Sequence, residues 1–140
     1  ITLGNFISKD DLLVLIGKTD VECGKGCMWS ETKSIRSLKY DEDITTPEGT
    51  WQVDGESLNS IDYGILDLAN DTDTVPWRDV SNSNINLNKP QLQAILQAYA
   101  ARRTSIFNAA LSVKTDIDGC ASIPELEALD IATLFDSYIV

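Results

Sequence analysis

Residues 88–119 run NKPQLQAILQAYAARRTSIFNAALSVKTDIDG. Between Gln91 and Asp118 there is neither Gly nor Pro, and Ala recurs at 94, 98, 100, 101, 109 and 110, a composition that favours helix. Asn88 supplies an N-cap, Pro90 falls in the first turn where a missing N–H costs little, and Gly119 marks the C-terminal stop. The expected element is a helix of about 30 residues, ~45 Å long.

Apolar side chains recur along it in alternating steps of four and three. The series is Leu92, Leu96, Tyr99, Ile106, Ala110, Val113 and Ile117, with Arg103 in the one gap, and Ile95, Phe107 and Leu111 widen the face. Such spacing belongs to helices packed side by side. A stripe this long exceeds what a domain of this size covers alone, so it needs company. Its expected cover is the segment after Gly119 or the same helix of other copies. The candidate assembly interface is therefore Leu92, Leu96, Tyr99, Arg103, Ile106, Ala110, Val113 and Ile117. Arg103 is expected to meet an acid on a neighbour or to mark where the seam opens, because an unpaired buried charge is costly. Asp116 and Asp118 oppose the helix dipole at a cost of about a few tenths of a kcal/mol each, which points to a frayed or specifically contacted end.

Beyond Gly119, Ser122-Ile123-Pro124-Glu125 is a capping box with Pro inside the first turn. It opens a short helix carrying Leu126 and Leu129. Ile131, Leu134, Phe135, Tyr138, Ile139 and Val140 make the C-terminus apolar, as if to dock against another surface.

The N-terminal part reads as short elements. Ser8 followed by Asp11 caps Leu12 to Ile16, and Gly17 stops it, giving a short helix at about residues 9–16, although the apolar run equally suits a buried strand. Lys18 to Trp51 is turn-rich, punctuated by Gly24, Gly26, Pro47 and Gly49. Ser34 to Tyr40 alternates imperfectly, and Thr50 to Val53 alternates more cleanly before an Asp54-Gly55 turn. Asp71-Thr72-Asp73 lacks the Gly and the terminal Glu of an EF-hand loop, so turn-forming side chains explain it. The expected class is α+β. A small mixed α/β unit occupies 1–70, a polar linker 71–87, and an oligomerisation or attachment module of one long and one short helix 88–140.

Charge narrows the partners. The formal net charge is -11, and residues 1–80 hold 16 acids against 7 bases while 81–140 hold 6 against 4. An acidic surface repels nucleic acid and anionic lipid, and favours either simple solubility or a basic partner within a larger assembly. No stretch approaches the roughly 18 apolar residues of a membrane span. Cys23 and Cys27 are spaced C-x3-C and Cys120 lies far off. With three thiols and no His, one chain cannot complete a standard zinc site; free thiols are the default in a protein made in a cytoplasm, with a Cys23–Cys27 disulfide around the glycine-rich turn as the alternative. The absence of His removes the usual Ser–His and Cys–His nucleophiles, and there is neither a G-x-G-x-x-G nor a P-loop. Asp41-Glu42-Asp43 reads as a solvated loop. No enzymatic activity, no cofactor and no metal are expected.

Val75-Pro76-Trp77-Arg78-Asp79-Val80 leads through Asn84-Ile85-Asn86-Leu87-Asn88 into Gln91-Leu92-Gln93-Ala94, and the helix closes on Ile123-Pro124-Glu125-Leu126-Glu127-Ala128-Leu129-Asp130. Over about residues 75–130 this resembles the uncharacterised C-terminal domain of tailed-phage tail fibre and tail-assembly proteins. That resemblance implies a virion component of the tail, baseplate or fibre-attachment region, made in the host cytoplasm. It would pack against copies of itself (a trimer, by fibre symmetry) and against neighbouring tail proteins. It carries over no catalytic residue. Two other readings stand beside it. One is a tail-fibre assembly chaperone absent from the finished particle. The other is a receptor-binding tip using Trp29 and Trp51 on host glycan, against which buried core is the ordinary role of Trp.

Overall fold

A computed structural model describes residues 19–139, so the short helix or strand expected near 9–16 lies outside the described residues. The elements run in the order α1 (Asp20–Tyr40), β1 (Ile44–Thr46), β2 (Gly49–Trp51), α2 (Gly55–Asp67), β3 (Thr74–Arg78), β4 (Asn84–Asn88), α3 (Lys89–Asp118), α4 (Ile123–Glu127) and α5 (Ile131–Tyr138). The class is α+β: two separate antiparallel two-stranded sheets accompany the helices.

The long helix forms where its caps place it. Asn88 Oδ1 accepts from the Gln91 N–H at 3.0 Å while Gln91 Oε1 accepts from the Asn88 N–H at 2.9 Å. Two N-terminal donors are thereby satisfied reciprocally. The helix ends at Asp118, one residue before Gly119.

Three expectations are corrected. First, residues 20–40, read as turn-rich with an imperfect strand, form the 21-residue helix α1. A second reciprocal box starts it: Thr19 Oγ1 accepts from the Glu22 N–H and Glu22 Oε2 accepts from the Thr19 N–H, each at 3.1 Å. Gly24 is not a turn residue; a Cβ there would stand 2.9 Å from Leu126 Cδ1, so the glycine lets α4 approach the α1 backbone. Second, Asp54-Gly55 starts α2 instead of forming an isolated turn, since Asp54 Oδ1 accepts from the Ser57 N–H at 2.8 Å. Third, the polar linker at 71–87 is mostly the β3–β4 hairpin, registered Thr74 opposite Asn88 and Arg78 opposite Asn84. Val75 and Trp77 share one face with Ile85 and Leu87. Pro76 is tolerated because a two-stranded sheet has only edge strands. At the hairpin turn, Asn82 adopts φ 62°, a left-handed conformation that Asn accepts readily. Asp79 Oδ1 meanwhile accepts from the Ser81 and Ser83 N–H groups at 2.9 Å.

By contact the chain divides into two units, to each of which α1 and α3 contribute. The central unit, Arg36–Phe107, buries Ile44, Trp51, Val53, Ile61, Leu68, Leu87, Leu92 and Ile95 as one apolar cluster. In the terminal unit, formed by the described residues up to Ile35 and those from Asn108 onward, Ala110, Val113, Ile117, Leu126, Ile131 and Phe135 are buried. Thr32 is buried there too, its hydroxyl donating to the Met28 carbonyl at 2.8 Å.

Candidate assembly surface

Most of the stripe on α3 is core. Leu92 joins the central cluster, Leu96 and Tyr99 pack partly buried against it, and Ile106 is buried in the same unit. Further along, Ala110, Val113 and Ile117 are buried in the terminal unit, Val113 to 0% exposure. Of the two covers expected, the segment after Gly119 and the same helix of other copies, the first is present: Leu126, Ile131 and Phe135 are buried in the same unit as Ala110, Val113 and Ile117. The cover of the N-terminal half of the helix, where Leu92 and Ile95 join Ile61 and Leu87, was not foreseen. The β3–β4 hairpin, α1 and α2 were not among the elements weighed against the helix.

Arg103, the one polar position of the series, is in no ion pair among the described residues. It is exposed, its guanidinium lies 4.2 Å from the Tyr40 ring centroid, and it donates to the Tyr99 hydroxyl at 3.1 Å. A cation over an aromatic face keeps its hydration on the open side and loses little. Its neighbour Arg102 holds the end of α1 instead, donating to the carbonyls of Asp43 at 2.9 Å and Tyr40 at 3.1 Å and also to that of Glu42. The acidic loop thus engages the arginine through its backbone. Its carboxylates stay at an exposed surface.

The C-terminal end of α3 is specifically contacted. The Asp118 carbonyl accepts from Lys25 Nζ at 2.8 Å, and the Asp118 carboxylate pairs with Lys114 Nζ at 2.9 Å. Tyr138 donates to Asp116 Oδ2, and that hydrogen bond to the carboxylate holds the phenol above the usual tyrosine range. The apolar C-terminus is absorbed in part: Ile131 and Phe135 are buried, while Leu129 and Leu134 line an open groove of about 250 Å³.

What remains at the surface is a different set of apolar residues. On α2, Leu58, Ile61 and Ile65 pack inward and Gly64 lies against the Trp77 indole, where a Cβ would come within 2.9 Å of the ring. The opposite side of the helix carries Tyr63 at 71% and Leu66 at 80% exposure. They stand three residues apart and so lie side by side on one strip of the helix. Sequence reading missed them because it missed α2. The signal was present in Asp54 followed by Ser57, and in Leu58, Ile61, Ile65 and Leu68 at helical spacing. Phe107 and Leu111 of α3, read as widening the stripe, are also exposed, as is Leu38 of α1.

The remaining candidates resolve simply. Trp51 is 1% exposed and its indole N–H donates to Thr46 Oγ1 at 2.9 Å, so it belongs to the core and presents no face to a sugar. Trp29 is half-buried with Lys114 Nζ at 5.4 Å from its ring. Cys23, Cys27 and Cys120 are free thiols. Asp73 closes a turn, accepting from the Asn70 backbone and side-chain amides at 3.2 Å. Among the described residues no helix is long and apolar enough to cross a membrane.

The model of one protein family, described as Domain of unknown function (DUF4376), matches residues 26–133. The chain belongs to that family. The match takes in the larger part of α1, both hairpins, α2, α3, α4 and the start of α5. No curated protein and no solved structure matches the chain.

Proposed function

For this member of a family of unknown function, we propose a structural role in a tailed-phage particle, in the tail, baseplate or fibre-attachment region, exercised through protein–protein assembly and not through catalysis. The assembly part rests on one observation: Tyr63 and Leu66 are exposed, side by side, on a helix whose other face packs on the core. Contiguous large apolar side chains left at a surface favour contact with another protein. The particle part rests on the resemblance of residues 75–130 to the tail-fibre domain. Leu92, Ile106, Ala110, Val113 and Ile117 of the α3 ridge lend it no support, since the chain itself buries them.

Mass spectrometry of purified particles of the phage that encodes the chain tests this reading. The expected result is the intact polypeptide at a stoichiometry comparable with other tail components. Its presence in infected cells but absence from purified particles would overturn the reading in favour of an assembly chaperone.

A further inference from the structure

We propose that the outward face of α2 is a docking site for a segment of another protein that presents an apolar anchor flanked by Lys or Arg. This deepens the assembly reading and rests on it only for the premise that the chain works through protein contacts.

The geometry of the helix sets the face. Gly64 against Trp77, with Leu58, Ile61 and Ile65 facing the core, fixes the rotation of α2 about its axis. At 100° per residue, that rotation aims Asn59, Asp62, Tyr63 and Leu66 outward together. Tyr63 adds a hydroxyl beside an apolar ring, a combination suited to a contact that is wet at its rim and dry at its centre.

Charge selects the occupant. Within Gly55–Asp67 there are three acids, Glu56, Asp62 and Asp67, and no base. None of the three is held in an ion pair among the described residues. The whole chain carries -11. A second copy set against this face would bring like charges together around the same apolar pair, and like charges across an interface are unfavourable. Nucleic acid and anionic membrane are repelled for the same reason. A basic segment with an apolar anchor meets both features at once: the anchor covers Tyr63 and Leu66, and its flanking cations meet Asp62 and Asp67.

The test uses the full chain and three short labelled peptides: an amphipathic Leu/Lys peptide, its Leu/Glu counterpart and a Ser/Lys peptide of the same charge without the apolar face. Binding is followed by fluorescence anisotropy. Only the Leu/Lys peptide should bind, and more weakly as salt rises. Its affinity should fall about tenfold or more in Leu66→Ser and in Tyr63→Ser, and several-fold in the Asp62→Asn, Asp67→Asn double variant. Circular dichroism and thermal melting of each variant should match the parent, because these side chains are exposed. Undiminished binding in Leu66→Ser, equal binding of the Ser/Lys peptide, or no binding at all would overturn the proposal. So would dimerisation of the chain that is lost in Leu66→Ser. The two readings fail separately: a chain present in particles but indifferent to the peptide removes this docking site and leaves the structural role standing.

Discussion

The indole of Trp77 lies against the backbone of Gly64, so close that a methyl group at Gly64 would stand 2.9 Å from Cζ3 and 3.2 Å from Cη2. The contact joins the β3–β4 hairpin to α2 and turns that helix so that Tyr63 and Leu66 point away from the core.

Gly64→Ala should therefore destabilise the protein even though Ala is the better helix former. Relief of glycine's conformational freedom contributes about 0.5–1 kcal/mol, whereas forcing a methyl into a packed indole costs about 1–3 kcal/mol. A net loss of about 1 kcal/mol in urea denaturation is expected. A variant as stable as the parent would mean that the indole is free to move aside.

Two substitutions on α3 separate core from surface. Val113 is fully buried and Leu111, two residues earlier, is exposed. Val113→Asp places a carboxylate without a partner in an apolar interior and should abolish cooperative thermal unfolding. Leu111→Asp should leave the thermal midpoint nearly unchanged. Were α3 covered only by other copies, Val113→Asp would instead give a folded monomer.

Arg102→Lys tests the clamp on the end of α1. A single ammonium cannot span the carbonyls of Tyr40, Glu42 and Asp43 as the planar guanidinium does. The expected loss is about 1–2 kcal/mol, with faster amide exchange in the last turn of α1. Unchanged exchange there would show that the carbonyls are as well served by water.

Two groups give opposite pH signatures. The Ser57 backbone N–H is the main cause holding the Asp54 carboxyl below its usual range. A depressed folded pKa gives stability that is present above the unfolded value of 3.8 and is lost as pH falls through the lower folded value. Asp54→Asn keeps an acceptor for the cap and should flatten the acid limb of the α2 signal. The Tyr138 phenol is raised by its hydrogen bond to Asp116, so its contribution is present below 10.0 and is lost as pH rises through the higher folded value. The loosening of α5 in alkali should change in Tyr138→Phe, followed by amide exchange; an identical alkaline limb would remove the hydrogen bond from the account.

The parts of the fold legible in the sequence are those with local causes. Asn88 and Gln91, the Gly- and Pro-free run to Asp118 and the box at Ser122–Glu125 place α3 and α4 without reference to anything distant. The box at Thr19 and Glu22 carried the same information, but Gly24 and Gly26 obscured it, because a glycine reads as a turn until its neighbour is known. For Gly24 that neighbour is Leu126, about a hundred residues away. The β3–β4 hairpin was hidden in a similar way. Val75, Trp77, Ile85 and Leu87 alternate as a half-buried ribbon should, but Pro76 and the density of Asn and Ser suggested a connector.

Sequence alone determined that residues 92–117 carry one apolar face, interrupted at Arg103, since helical periodicity is a property of the chain itself. It also determined that the surface is acidic and where α3 begins and ends. Only the tertiary structure decided what covers that face and which apolar residues are left over. Burial depends on contacts between segments far apart in the chain, and no spacing within a single helix encodes the identity of its cover.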